Sequence, residues 1–158
     1  MSMTLAEYRT RAELLEQFRI ETGSQFAALA EAFNLQGTMK WTVISGNRND
    51  RVGKMTIKAG IGLAGMVRRL GIMCHSRRGK DSGMNSAPDC PVMLAEQLQE
   101  AVAFPVAGSD ASTAVARVLL MGRRTGADYA PSDIETGLRY ASAFSSWLNA
   151  DFPSGDNN

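Results

Sequence analysis

Histidine is almost missing from this chain: its 158 residues include one, His75, beside two cysteines, Cys74 and Cys90. The cysteines lack the CxxC spacing and the histidine partners of a structural zinc, so no metal site is expected. One histidine also leaves no convincing Ser/His/Asp set, and no carboxylate pair stands out as an acid/base couple. An excess of charge of one sign is absent too, with 17 basic and 16 acidic side chains and a net charge of +1. No global field draws the chain to nucleic acid or anionic lipid, and neither is expected as a partner. No apolar run approaches the roughly 20 residues that cross a bilayer. Glu7, Arg9 and Arg11 break what would be the apolar block of a signal peptide, which points to a cytoplasmic address. In a reducing cytosol the two cysteines read first as reduced packing residues.

What the chain does contain is an ordinary globular composition, 44% hydrophobic and 21% charged. This fits one domain over residues 1–150 followed by a polar, flexible tail over 151–158. From Thr4 the pattern is helical, with Leu5, Tyr8, Ala12, Leu15 and Phe18 recurring at steps of three and four. Gly23-Ser24 interrupts it, and Phe26, Leu29, Ala30 and Phe33 predict a second helix that ends before Gly37. The stretch from Lys40 to Ser45, rich in β-branched and aromatic residues, predicts a strand. Lys54 to Lys58 alternates polar and apolar and predicts its hairpin partner.

Gly60 to Gly65 opens a short helix to about Leu70, stopped by Gly71, and Ile72 to His75 is a brief strand. Residues Ser76 to Asp89 read as a long surface loop of the kind that covers a site. Pro91 starts a helix to about Gln99; Ala101 to Ala107 and Thr113 to Gly122 form a second hairpin about a Gly108-Ser109-Asp110 turn. A last helix begins at Pro131, with Ile134, Leu138, Ala141, Phe144, Trp147 and Leu148 on its apolar face.

This order resembles the GAF family, whose α+β fold has a central antiparallel sheet, N- and C-terminal helices on one face, and short helices enclosing a ligand pocket on the other. Three stretches, Trp41 to Asp50 (WTVISGNRND), Gly60 to Gly65 (GIGLAG) and Cys90 to Glu96 (CPVMLAE), narrow the resemblance to compact cytosolic nitrate receptors of the NreA type. The resemblance implies a neutral pocket in which backbone amides at two helix starts hold the anion under apolar and aromatic side chains. By motif, those positions are Leu63 and Ala64, Val92 and Met93, and Trp41. Cys90 stands where an aromatic residue is expected in those relatives. The resemblance further implies a sensor histidine kinase as partner and no cofactor. Apolar stripes on the first and last helices either pack together or form a homodimer seam.

Physical chemistry supports the same amides independently of the family. The first N–H groups of a helix lack internal acceptors and sit at the positive end of its dipole. With Gly62 as cap, the donors are Leu63, Ala64 and Gly65; Pro91 has no N–H, which leaves Val92 and Met93. A planar oxyanion of single charge, such as nitrate, suits such donors because it is cheaper to desolvate than phosphate or sulfate. The plainer reading is that side chains or water cap both helix starts. For Trp41 the plainer reading is core packing, with its indole N–H able to orient an acceptor.

Three other signals carry alternatives. Gly60 to Gly65 is a literal GxGxxG, but the strand before it carries Lys54 and Lys58 instead of a continuous apolar run, which argues against a dinucleotide fingerprint. Arg77, Arg78 and Lys80 read as a solvated cluster, or as groups that steer an anion inward. Some GAF proteins reduce free methionine sulfoxide with a thiolate. Cys74 and Cys90 flank the long loop, and His75 would favour a thiolate nearby, although their spacing departs from the pattern of those reductases. The expectation is a receptor and not an enzyme.

Overall fold

The computed structural model describes residues 10–32, 38–78, 90–108 and 115–149. Thr10 is extended and caps α1 (Arg11–Glu21): its hydroxyl accepts from the Glu13 N–H while the Glu13 carboxylate accepts from the Thr10 N–H. The helix therefore starts at Arg11, and the helical pattern seen over Thr4 to Arg9 lies outside the described residues. Its buried side chains are Leu14, Leu15 and Phe18, whereas Ala12 is exposed.

The expected second helix is a strand, β1 (Phe26–Ala32). It pairs with β2 (Met39–Ser45) on one side and with β6 (Arg117–Arg123) on the other, at the centre of the sheet. Phe26 to Ala30 are fully buried, so the strand is apolar on both faces and has no alternation to announce it. The expected helix through Phe33 lies partly outside the described residues.

β3 is only Thr56–Ile57, preceded by a 3₁₀ turn over Val52–Lys54, and it pairs with the start of β2 as the predicted hairpin does. α2 spans Gly62–Leu70 and stops at Gly71. The brief strand after it, β4, is Cys74–Arg77 and not Ile72 to His75, which removes Ser76 and Arg77 from the expected loop. Residues 79–89 of that loop, with Lys80, lie outside the described residues. α3 spans Pro91–Glu96 and ends sooner than Gln99, because Gln97 turns left-handed. β5 (Glu100–Val106) and β6 form the second predicted hairpin, whose turn from Ser109 also lies outside. α4 is Pro131–Asn149. The tail at 151–158 is likewise outside.

Every strand pairing among the described residues is antiparallel, in the order β3-β2-β1-β6-β5-β4. Alternation then gives the three central strands, β1, β6 and β5, two buried faces. Ala27, Leu29, Val102, Phe104, Leu119 and Met121 meet α1 and α4, where the Phe18 and Tyr140 rings pack 5.4 Å apart. Phe26, Ala28, Ala30, Ala101, Ala103 and Leu120 meet α2, α3 and the 3₁₀ turn. On α4, among the described side chains, Gly137, Tyr140, Ala141 and Phe144 are buried and Ile134 packs against them, while the expected Leu138 is 48% exposed; the side chains of Trp147 and Leu148 lie outside the described residues.

A bulge in β2 decides where its tryptophan points. Leu29 pairs with Val43 and Ala30 with Trp41, so Thr42 is an extra residue in β2. Without it Trp41 and Val43 would share a face. With it, Val43 packs toward the helices and Trp41 packs with α2 and α3.

Candidate ligand-binding site

The chain enters α2 through Gly62 at φ 73°, a left-handed conformation that strains an L side chain, and no side chain caps this start. The turn before it folds back onto the helix, the Gly60 N–H donating to the Gly65 carbonyl at 2.7 Å. A Cβ on Gly65 would lie 2.3 Å from the Lys58 carbonyl oxygen, so only glycine permits this approach. The GxGxxG spacing thus serves a tight turn against a short antiparallel edge strand. No parallel βαβ unit, which a dinucleotide fingerprint requires, occurs among the described residues.

α3 begins opposite. Cys90 is its extended N-cap, Pro91 occupies the first helical position, and no side chain caps the start. Between the two helix starts lies a cavity of about 220 Å³. Leu63 and Ala64 of α2, Cys90 and Val92 of α3, and Trp41 of β2 all line it, so five of the six residues singled out from the sequence converge. Met93 does not line it; its side chain is buried in the core beside it. Sequence reading missed Met55, Thr56, Ile57, Lys58, Ile61 and Leu120, which with Gly62 and Pro91 complete the wall. The alternation of β3 already turned Ile57 inward and was the available signal; Leu120, from a strand distant in sequence, had none.

The cavity is smaller than the roughly 300–1,000 Å³ typical of sites for drug-sized ligands. Its wall is mostly apolar, with Thr56 and Lys58 as polar side chains. The Cys90 sulfur faces the backbone N–H groups of Met93 and Val92 from α3 and of Leu63 from α2. None of these makes a regular capping hydrogen bond to it. Burial pushes the Cys90 thiol up, and the three amides pull it part of the way back. Burial also raises the Cys74 thiol.

Alternation in β4 turns His75 away from the Cys74 side of the sheet, and its Nε2 lies 2.5 Å from a Glu100 carboxylate oxygen. Arg77 is not free in solvent as a steering charge, since it pairs with Asp128 at 2.9 Å and lies 3.5 Å from Glu100.

Two of the stretches that carried the resemblance touch. The Asn49 amide donates to the Ala95 carbonyl at 2.9 Å, and the Arg48 N–H donates to the Glu96 carboxylate at 2.9 Å. Glu96, fully buried, is paired with Arg124, whose guanidinium also donates to the Glu96 and Gly46 carbonyls. The turn after β2 is thereby pinned to the end of α3, while the start of α3 faces the cavity.

No family model matches the chain, and no curated protein does. Among solved structures, NreA of Staphylococcus aureus, mutated in its nitrate binding site, is 31% identical; the match covers 75% of this chain and 86% of that one with a TM-score of 0.63. The GAF domain of an Acinetobacter phosphoenolpyruvate-protein phosphotransferase is 12% identical over 87% of this chain and 78% of that one, with a TM-score of 0.67. Free methionine-R-sulfoxide reductase of Neisseria meningitidis, in complex with its substrate, is 12% identical over 91% and 81%, with a TM-score of 0.69. These last two share the fold alone. With its antiparallel sheet, its layering and its likeness to NreA, the chain belongs to the NreA family of GAF-type domains.

Proposed function

We propose that this chain is a receptor for a small monovalent oxyanion, nitrate by preference, and that it acts by modulating a partner sensor histidine kinase and not as an enzyme. The observation that carries the reading is the meeting of two uncapped helix starts at one small, largely apolar cavity. Their N–H groups supply donors without a buried cation, which favours an anion that spreads a single charge over several acceptors. Lys58 is the one charged side chain in a wall otherwise apolar but for Thr56, a single charge against the two of a divalent ion. The likeness to NreA supports the choice of nitrate, and the kinase partner rests on that likeness by itself. Both cysteines have raised thiols and His75 is engaged by Glu100, so the reductase alternative has no specific support.

Titration calorimetry with nitrate, chloride and sulfate tests the reading. Saturable heat is expected with nitrate, weaker heat with chloride and none with sulfate. Absence of heat at millimolar nitrate, or preference for sulfate, would overturn it.

A further inference from the structure

Cys90 lines the cavity, is 6% exposed, and is not in a disulfide. Its sulfur faces the amides of Leu63, Val92 and Met93, among the donors available to an anion at these two helix starts. The sulfur and a bound anion therefore draw on one set of donors. Resting on the receptor reading, we propose that Cys90 sets the selectivity of the cavity by competing for these amides: a neutral thiol leaves them to a monovalent anion, and a negative charge at this position claims them and excludes it.

The surroundings fit a competition governed by this side chain. β2, β5 and β6 present Met39, Trp41, Ala101, Ala103, Val118 and Leu120 to this core, none of them ionisable. Of the charged groups on the neighbouring elements, Lys58 lines the cavity; Lys54 pairs with Asp50 at the 3₁₀ turn, Arg68 of α2 donates to the Ile57 carbonyl, and Glu96 at the far end of α3 pairs with Arg124. Arg51 and Arg69 are solvent-exposed, and Cys74 of β4 is the other thiol in this core. Burial holds the Cys90 thiol protonated at neutral pH, which keeps the amides available.

The test is nitrate calorimetry on the full chain, with variants and a pH series in a sulfate-salt background. Cys90→Asp places a carboxylate at the N-cap, where the amides favour it and burial opposes it, so its melting curve is recorded to show that it is folded before it is titrated. It should bind nitrate about a hundredfold more weakly or worse, from like-charge repulsion at contact. In the wild type, affinity should fall by about tenfold per pH unit once the thiol ionises. Cys90→Ser should lose that slope, and Lys58→Gln should retain it. In a Cys74→Ala background, thiolate ultraviolet absorbance should shift to higher pH when nitrate saturates the protein.

Nitrate binding to Cys90→Asp at wild-type strength, or a thiol titration unmoved by nitrate, overturns the competition and leaves the receptor reading standing. Failure of the wild type to bind nitrate removes both.

Discussion

Removing the Arg124 guanidinium would strand a buried carboxylate. Glu96 is fully buried, and of its two oxygens Oε1 is held by Arg124 and the Arg48 N–H while Oε2 finds no partner among the described residues. Arg124→Met therefore leaves an uncompensated charge, expected to cost about 3–5 kcal/mol. Adding Glu96→Leu should recover much of that loss, since a well-packed apolar pair often replaces a buried ion pair at little cost. Urea unfolding of the two variants decides the point: a double variant no more stable than Arg124→Met would show that the pair acts through packing and not through its charge. In the sequence Glu96 stands inside a family motif that does not disclose this role. Its partner lies 28 residues away, and only the folded register brings them together.

At the scale of elements, α4 offers a contest between two known effects. Replacing Gly137 by alanine improves intrinsic helix propensity by about 1 kcal/mol. The added Cβ, however, would lie 2.2 Å from the Phe104 ring, inside a core where overpacking costs about 1–3 kcal/mol. Phe104 is fully buried on a strand and cannot swing into solvent, so the packing loss wins. Gly137→Ala should lower stability by up to about 2 kcal/mol, the upper overpacking cost less the helix gain; a urea midpoint above that of the wild type would refute it. Close packing also explains why β1 reads as a helix in sequence. Its residues, FAALAEA, are rich in the best helix former and space Phe26, Leu29 and Ala30 as a helix would. Small side chains suit a central strand covered closely on both faces, and a short run of apolar residues does not separate that case from a buried helix. By contrast, α2 and α3 were legible because Gly71 and Pro91 punctuate them, and β2 because its β-branched residues end at Gly46.

For the molecule as a whole, occupation of the cavity must appear as stability, because a ligand that binds only the folded state adds about 2.7 kcal/mol at a concentration one hundred times its dissociation constant. For a domain of this size, each kcal/mol raises the melting temperature by about 2–4 °C, so saturating nitrate should give roughly 5–11 °C. Salts also act on every protein surface, and sulfate stabilises folded states in general by exclusion, so a rise with nitrate taken alone would be ambiguous. Trp41 resolves this, since the Thr42 bulge turns it toward the cavity, where it forms part of the wall at 4% exposure. Trp41→Ala is expected to lower the baseline by about 3–5 kcal/mol through the void it leaves. It should also abolish the nitrate increment while keeping the sulfate increment. A variant that still gains as much from nitrate as the wild type would place the anion elsewhere on the surface, whatever the cavity between α2 and α3 contains.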